Sequence, residues 1–161
     1  MAALFHKNVK SSSMCTRRPG RVEFSELVKL SPFILRGQVE LVTSSGLALI
    51  EVKEAFKGRP ARYLPFCTGT DRNRVFALFP MQECLFFLEP DDEEPTHYAD
   101  VWSGRGVMPV TQRGPKQAVE IFTATVILDK TIKVLEPGPQ SITSFFAYRE
   151  IVRAIRHHKH R

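Results

Sequence analysis

Residues 31–58 alternate apolar and polar side chains on both sides of a short turn, and this pattern constrains the fold more than any other part of the chain. A period of two predicts two antiparallel strands with one buried face, joined by a turn at Ser44-Ser45-Gly46. Gly37 lies inside the first predicted strand, where a residue without a side chain indicates a bulge or a sharp bend. A long, bent hairpin of this kind is typical of a small, strongly coiled β-barrel. The apolar set of the two strands is Phe33, Leu35, Gly37, Val39, Leu41, Ala48, Ile50, Val52 and Phe56.

The remaining apolar segments predict further short strands. Residues 84–88, Cys-Leu-Phe-Phe-Leu, are continuously apolar and predict a central strand that is buried on both faces. We expect the segment 112–116 to be a loop and Pro137-Gly138-Pro139 to end the sheet. The other predicted strands lie at residues 62–66, 98–102, 107–110, 119–128 and 132–135, and residues 75–79 are either a strand or a lead-in to the turn that follows.

A helix is predicted on each side of this sheet. Residues 22–31 suit a short helix that ends before Pro32, with Val22, Phe24, Leu27 and Leu30 on one side. At the other end, residues 142–157 predict an amphipathic helix with Ser141 as its N-cap. Its core-facing stripe consists of Ile142, Phe145, Phe146, Val152 and Ile155.

These elements together predict a mainly β fold. The arrangement expected is an OB-like closed five-stranded barrel with a short N-terminal helix and a C-terminal amphipathic helix. A β-sandwich is the alternative. We predict a flexible basic segment at 1–20, the barrel domain at 21–157 and a basic tail at 158–161.

The charges of the chain are unevenly placed. Its 23 basic and 17 acidic residues give a net charge of +6, with basic residues concentrated at both ends and an acidic run at residues 89–94. The termini therefore predict weak binding to polyanions. No apolar run reaches the roughly 20 residues of a membrane span, and no secretory h-region is visible. The expected location is extracellular if a signal segment is missing from the sequence given, and cytoplasmic otherwise.

The sequence shows few residues in catalytic or metal-binding patterns. It contains no phosphate-binding loop, no G-x-S-x-G elbow, no H-E-x-x-H and no closely spaced cysteine pairs. The acidic residues 91–94 lack the alternation and the glycine of a calcium loop. We therefore expect no enzyme activity, no cofactor and no metal site. Cys15, Cys67 and Cys84 permit either one disulfide and one thiol or three thiols.

Four segments together resemble the netrin-module superfamily, which includes the tissue inhibitors of metalloproteinases and the N-terminal domain of agrin. They are Cys15-Thr16, the segment Ser31-Pro-Phe-Ile-Leu-Arg-Gly37, the segment Glu51-Val-Lys-Glu-Ala-Phe-Lys-Gly58 and the segment Glu83-Cys-Leu-Phe-Phe-Leu-Glu-Pro90. The C-terminal amphipathic helix is also shared. This resemblance covers about residues 15–157 and implies an OB-like barrel that binds protein partners.

In the inhibitors of this superfamily, the first cysteine chelates the zinc of a protease through its α-amine and carbonyl. The resemblance implies that Cys15 would take this role and that Thr16 would enter the specificity pocket. It also implies that Cys67 or Cys84 would hold Cys15 to the barrel. Arg17 stands where that family has a second cysteine.

Two functions from different classes follow from these observations. The first is a non-enzymatic, netrin-like module that binds a protease or matrix protein through the barrel rim, the N-terminal segment and the loops 67–74 and 90–97. The alternative is an intracellular OB-type protein that binds single-stranded nucleic acid. For that alternative, the candidate contacts are Arg72, Arg74 and Arg105.

Overall fold

The computed structural model describes residues 20–68, 77–94, 96–102, 104–139 and 142–160. Within these residues the helices are α1 (Phe24–Leu30) and α2 (Tyr148–Lys159). The strands are β1 (Val22–Glu23), β2 (Phe33–Val42), β3 (Leu47–Lys57), β4 (Tyr63–Cys67), β5 (Glu83–Pro90), β6 (Tyr98–Asp100), β7 (Val107–Arg113), β8 (Lys116–Ile121), β9 (Val126–Ile127), β10 (Glu136–Pro137) and β11 (Ser144–Ala147).

Five of these strands close into a barrel. The order is β2-β3-β4-β6-β5, and β5 returns to pair with β2. Neighbouring strands are antiparallel except for β4 and β6, which pair in parallel through Phe66 and Tyr98. This closure confirms the predicted OB-like barrel and rules out the sandwich alternative. The barrel interior contains Leu35, Val39, Ala48, Ile50, Leu64, Phe66, Cys84, Phe86, Leu88 and Val107.

The long hairpin bends at Gly37, as its glycine predicts. The register between β2 and β3 shifts between Arg36 and Gly37, and again between Val39 and Leu41. A Cβ atom placed on Gly37 would lie 2.5 Å from Cγ2 of Ile50, so the side chain of the facing strand occupies this space. The bend lets a ten-residue strand take part in the barrel and still extend beyond it.

A second layer covers the β2 and β5 side of the barrel. Strand β5 pairs with β2 along one edge and with β6 and β7 along the other. From β7 the sheet continues through β8 and β11 to β10. Both helices pack on this extension, where Phe24 of α1 meets Phe87 of β5 edge to face at a ring-centroid distance of 5.8 Å. One outer side of the barrel is therefore covered by a second hydrophobic core. Its central residues are Phe24, Ile34, Leu85, Phe87 and Ile151.

Lysine side chains connect the C-terminal ends of α1 and α2 to β3 by hydrogen bonds. Nζ of Lys57 donates hydrogen bonds to the carbonyl oxygens of Val28 (2.8 Å) and Lys29 (3.1 Å), which the C-terminal end of α1 leaves without helical partners. Nζ of Lys159, at the end of α2, donates to the Phe56 carbonyl at 2.7 Å. Neither helix of the described residues is long and apolar enough to cross a membrane.

The C-terminal helix is shorter than predicted. Residues 144–147 form β11, which pairs with β8, so α2 begins at Tyr148 with Ala147 as its N-cap rather than at residue 142. Phe145 and Phe146 are both buried because they lie on opposite faces of a strand, with the Arg113 guanidinium over the Phe145 ring. A pair of adjacent apolar residues fits a strand as well as a helix. Here the strand forms because the edge of β8 offers it backbone hydrogen-bond partners. Ile142 is 43% exposed, and Ser141 lies outside the described residues.

Other predicted boundaries also shift. Residues 113–116 form a tight hairpin turn instead of a loop, and β8 ends at Ile121 rather than continuing to residue 128. Residues 132–135 form no strand. The short strand β10 includes Pro137 and ends there, so Gly138 and Pro139 lie outside the sheet as predicted. For the segment 75–79, predicted as a strand or a lead-in, residues 77–79 are not in a strand, and residues 75–76 lie outside the described residues. Leu30, predicted for the buried side of α1, is 41% exposed.

A candidate protein-interaction surface

Strand β3 meets α2 near its C-terminal end, through Glu54 and Phe56, whereas its residues 47–51 pair with β4. In OB-like barrels generally, ligands bind on the second and third strands and on the loops that flank them. The second and third barrel strands of this chain are β3 and β4. The corresponding loops are residues 43–46, between β2 and β3, and residues 91–97, between β5 and β6.

A row of apolar residues crosses the outer face. Leu41 pairs with Leu49, and Leu49 pairs with Pro65, so three neighbouring strands contribute one residue each. These residues point outward because they alternate with the buried residues Ile50 and Leu64. Leu41 is predicted on the inner apolar face, but the register shift between Val39 and Leu41 turns it to the outside, where 45% of it is exposed. We call Leu41, Leu49 and Pro65 the apolar row.

A polar network stands at one edge of the apolar row. The hydroxyl of Tyr63 donates a hydrogen bond to Oε2 of Glu51 at 2.8 Å, and this carboxylate also pairs with Lys53 and with Arg62. Lys53, followed by the Tyr63 hydroxyl, holds the pKa of Glu51 below its usual value, so Glu51 is ionised at neutral pH. The network holds an exposed aromatic ring, which is 45% accessible, beside the apolar row.

An acidic loop stands at the other edge. Cys67 follows Pro65 on the same outward face of β4, and its Sγ donates to Oδ2 of Asp91 at 3.2 Å. Nδ1 of His97 lies 3.7 Å from the same sulfur. The loop is closed by hydrogen bonds from the Asp91 amide to the His97 carbonyl (2.9 Å) and from the His97 amide to the Glu94 carbonyl (2.8 Å). We call residues 91–94, Asp-Asp-Glu-Glu, the acidic loop.

The chemistry at Cys67 is that of a protonated thiol. Burial raises the pKa of Cys67 to about 11, with further contributions from the hydrogen bond to Asp91 and from the charges of Asp91, Glu94 and Glu93. Since the thiolate is the reactive form of cysteine, this environment is the opposite of the one that activates a nucleophile. No group of three or more His, Cys, Asp or Glu side chains with the arrangement of a metal site occurs among the described residues.

An exposed turn lies next to β2. Residues 79–82, Phe-Pro-Met-Gln, form a turn closed by the Gln82 amide and the Phe79 carbonyl at 3.3 Å. Met81 has a φ of 73° at the third position, where glycine is usual. The Met81 amide donates to the Val39 carbonyl at 2.8 Å, and this bond holds the turn against the strand that carries Leu41. Phe79 is 57% exposed and Met81 is 72% exposed.

Of the five contact residues predicted from the sequence, the structure describes Arg105. Cys15, Thr16, Arg72 and Arg74 lie outside the described residues. Arg105 is half-buried in the connection between β6 and β7, beside residues of the second core rather than on β3 or β4.

The two cysteines of the described residues are reduced thiols at different depths. Cys67 lies at the outer surface, whereas Cys84 is buried inside the barrel. The side chain of Cys84 belongs to the barrel core, so it has a packing role there. Cys15, the third candidate for a disulfide, lies outside the described residues.

Sequence reasoning missed the apolar row, although a signal was present. Residues 47–50, Leu-Ala-Leu-Ile, are apolar at both phases of a strand, which indicates that the outward face of β3 is apolar as well as the inward face. Pro65 and Leu41 carry no such signal, because the bulge that turns Leu41 outward depends on how β2 pairs with β3. The contact of Cys67 with His97 joins residues 30 positions apart and has no local sequence signature.

Several arginines of the described residues pair with carboxylates of the same molecule. Arg62 contacts Glu51 at 3.5 Å, and Arg156 contacts Glu54 at 3.6 Å. Arg36 pairs with Glu83, and Arg113 pairs with Glu136. These ion pairs reduce the positive charge that the arginines themselves offer to a polyanion.

The chain matches no protein-family model and no curated protein.

Proposed function

We propose that this chain is a non-enzymatic protein-binding module, of the kind that its resemblance to netrin modules implies. The observation that carries the proposal is the apolar row on the outer face of β3 and β4, with an exposed tyrosine at its edge. Apolar and aromatic side chains at the centre of a polar rim are typical of protein interfaces. The partner expected from the resemblance is a protease or a matrix protein.

The charge of the flanking loop supports a protein partner over a nucleic acid. Four carboxylates in the acidic loop would repel phosphates at the place where OB-like barrels hold oligonucleotides. Arg62, at the other edge of the face, is already paired with Glu51. Single-stranded nucleic acid is therefore the weaker of the two functions for this surface.

The environment of Cys67 supports a non-enzymatic role. Its thiol donates to Asp91 and has a raised pKa, so the nearest Cys–His contact on the described surface does not form the thiolate–imidazolium pair that a cysteine enzyme uses. The inhibitory role implied for Cys15 and Thr16 depends on residues outside the described part of the chain. The proposal therefore concerns binding through the barrel face.

The experiment that tests this proposal is site-specific photo-crosslinking in cells. A photoreactive phenylalanine analogue replaces Tyr63, and a matched control places it at Val134, which is 53% exposed in the second layer. The expected result is a discrete protein adduct from position 63 that position 134 does not give. Adducts to nucleic acid, or the same adducts from both positions, would contradict the proposal.

The crosslinked protein is then purified and titrated against the intact chain and two variants. Leu41→Lys should weaken its binding by about tenfold or more, because a charge would have to be buried at the centre of the interface. Val134→Lys introduces the same side chain at a similarly exposed position and should leave binding unchanged. Equal affinity of the two variants would remove the apolar row from the binding site.

A further inference from the structure

We infer that the partner of this surface is a basic protein segment that places a lysine or arginine next to an apolar side chain. This inference rests on the proposed function and specifies the chemistry of the partner. Two features of the surface carry it. The apolar row and the acidic loop lie next to each other, and the first is uncharged whereas the second is strongly negative.

Strand β4 connects the apolar row to the acidic loop. Pro65 of the apolar row and Cys67 are two residues apart and point to the same outward face. A rise of about 3.3 Å per residue separates them by roughly 7 Å. Oδ2 of Asp91 then lies 3.2 Å beyond the Cys67 sulfur. A partner side chain on the apolar row is therefore about 10 Å from the first carboxylate, which is two to three residues of an extended chain.

The charge of the surface selects the partner. Asp92, Glu93 and Glu94 are exposed, and Asp91 is half-buried against Cys67. The described neighbour of this loop on β4 is a protonated thiol, which adds no positive charge. A basic side chain arriving here gains attraction to several carboxylates, whereas an acidic one is repelled.

The geometry of the apolar row limits how the segment docks. The row crosses three strands, so its length is set by the spacing of about 4.8 Å between strands and amounts to roughly 10 Å. This accommodates one or two apolar side chains rather than the long stripe of an amphipathic helix. The short anchor and the adjacent charge together fit a segment of a few residues.

A selection from a random-peptide display library against the intact 161-residue chain tests this inference directly. The expected result is an enrichment of lysine or arginine two to three positions from an apolar residue. A representative peptide is then synthesised and its affinity measured at about 0.05 M and about 0.5 M salt, where the screening length falls several-fold. We expect the affinity to fall by about tenfold or more at the higher salt concentration.

Two triple variants test whether the peptide is attracted by the acidic loop or by the net charge of the protein. Asp92→Asn with Glu93→Gln and Glu94→Gln neutralises the exposed part of the acidic loop and keeps Asp91, which bonds to Cys67. This variant should lower the affinity for the peptide by about tenfold and make that affinity less dependent on salt. The control variant Glu23→Gln with Glu26→Gln and Glu150→Gln changes the net charge equally at the two helices, and it should change the affinity by less than about twofold.

The outcomes separate this inference from the proposed function. Neutral or acidic peptides that still require Leu41 would overturn the basic segment and leave protein binding in place. Equal effects of the two triple variants would likewise overturn it, since the attraction would then come from net charge alone. Direct binding of a labelled single-stranded oligonucleotide to the peptide-free chain, weakened by Tyr63→Ala and not by Val134→Ala, would assign the face to nucleic acid and would overturn both.

Discussion

Replacing Gly37 with alanine tests how the hairpin is packed into the barrel. The added Cβ would lie 2.5 Å from Cγ2 of Ile50 and 3.1 Å from both the Glu51 carbonyl oxygen and Cδ1 of Leu35. Ordinary contacts of this kind are 3.4–4 Å, so Ile50 would have to move by about 1 Å. Overpacking of this kind costs about 1–3 kcal/mol, and the smaller entropy of the unfolded alanine chain offsets about 0.4–1 kcal/mol. We expect Gly37→Ala to lower the free energy of unfolding by about 1–2 kcal/mol.

A double-mutant cycle identifies Ile50 as the cause. Ile50→Ala alone should cost about 2–5 kcal/mol, because it leaves a cavity inside the barrel. In the double variant the methyl group added by Gly37→Ala enters the space that Cγ2 of Ile50 has left. The combined loss should therefore be smaller than the sum of the single losses by at least about 1 kcal/mol.

Urea unfolding, followed by circular dichroism and by fluorescence, measures each free energy. Gly37→Ala combined with Ile155→Ala is the control pair, because Ile155 lies in the second core and the two effects should add to within about 0.5 kcal/mol. Additive losses for the Gly37 and Ile50 pair, or a stabilised Gly37→Ala variant, would show that this contact does not set the bend. The explanation of the register shift would then be wrong.

Three further predictions concern single residues. Met81→Gly should raise the free energy of unfolding by about 0.5–1 kcal/mol in urea, because relief of the strain at a φ of 73° exceeds the entropy that glycine adds to the unfolded chain; a loss of stability would contradict this. Lys159→Met should lower it by about 1 kcal/mol, since the Phe56 carbonyl loses its donor, and an unchanged unfolding midpoint would refute that role. Alkylation of Cys67 near neutral pH should be slow and should accelerate in Asp91→Asn, which removes a contact that raises the thiol pKa. Folding raises this pKa from 9.0 to about 11, so the contribution of the thiol to stability is intact below about pH 9 and is lost as the pH rises towards 11. Equal alkylation rates in the two proteins, or stability that rises across this pH window, would contradict the environment described for Cys67.

Elements with strong local patterns could be predicted from the sequence. The alternation on both sides of Gly46 predicts the β2–β3 hairpin, and the continuous apolar run 84–88 predicts the central strand β5. Gly37 indicates the bend before any partner is known, because a strand interior rarely contains glycine without such a reason. Helix α1 is also predicted, although it starts two residues later and ends one residue earlier than expected.

The candidate surface could be predicted only in part. The four consecutive carboxylates of the acidic loop are visible in the sequence, and so is the apolar character of residues 47–50 on both faces. Their juxtaposition is not visible, because it depends on the pairing of β4 with β3 and on the contact between Cys67 and Asp91 across 24 residues. Arg72, Arg74 and Arg105 are the contacts predicted for a nucleic acid. Arg105 lies beside the second core, and the other two lie outside the described residues.

The amino-acid sequence by itself determined the mainly β character of this protein, its long bent hairpin and its buried central strand, because these depend on side-chain periodicity within one segment. Only the tertiary structure decided that residues 144–147 form a strand, since the edge of β8 supplied hydrogen-bond partners that a helix would have left unused. It also decided which apolar residues stay outside the core. Leu41 and Pro65 join Leu49 in one row because three strands meet in a particular register, and register is a property of the assembled sheet rather than of any one strand.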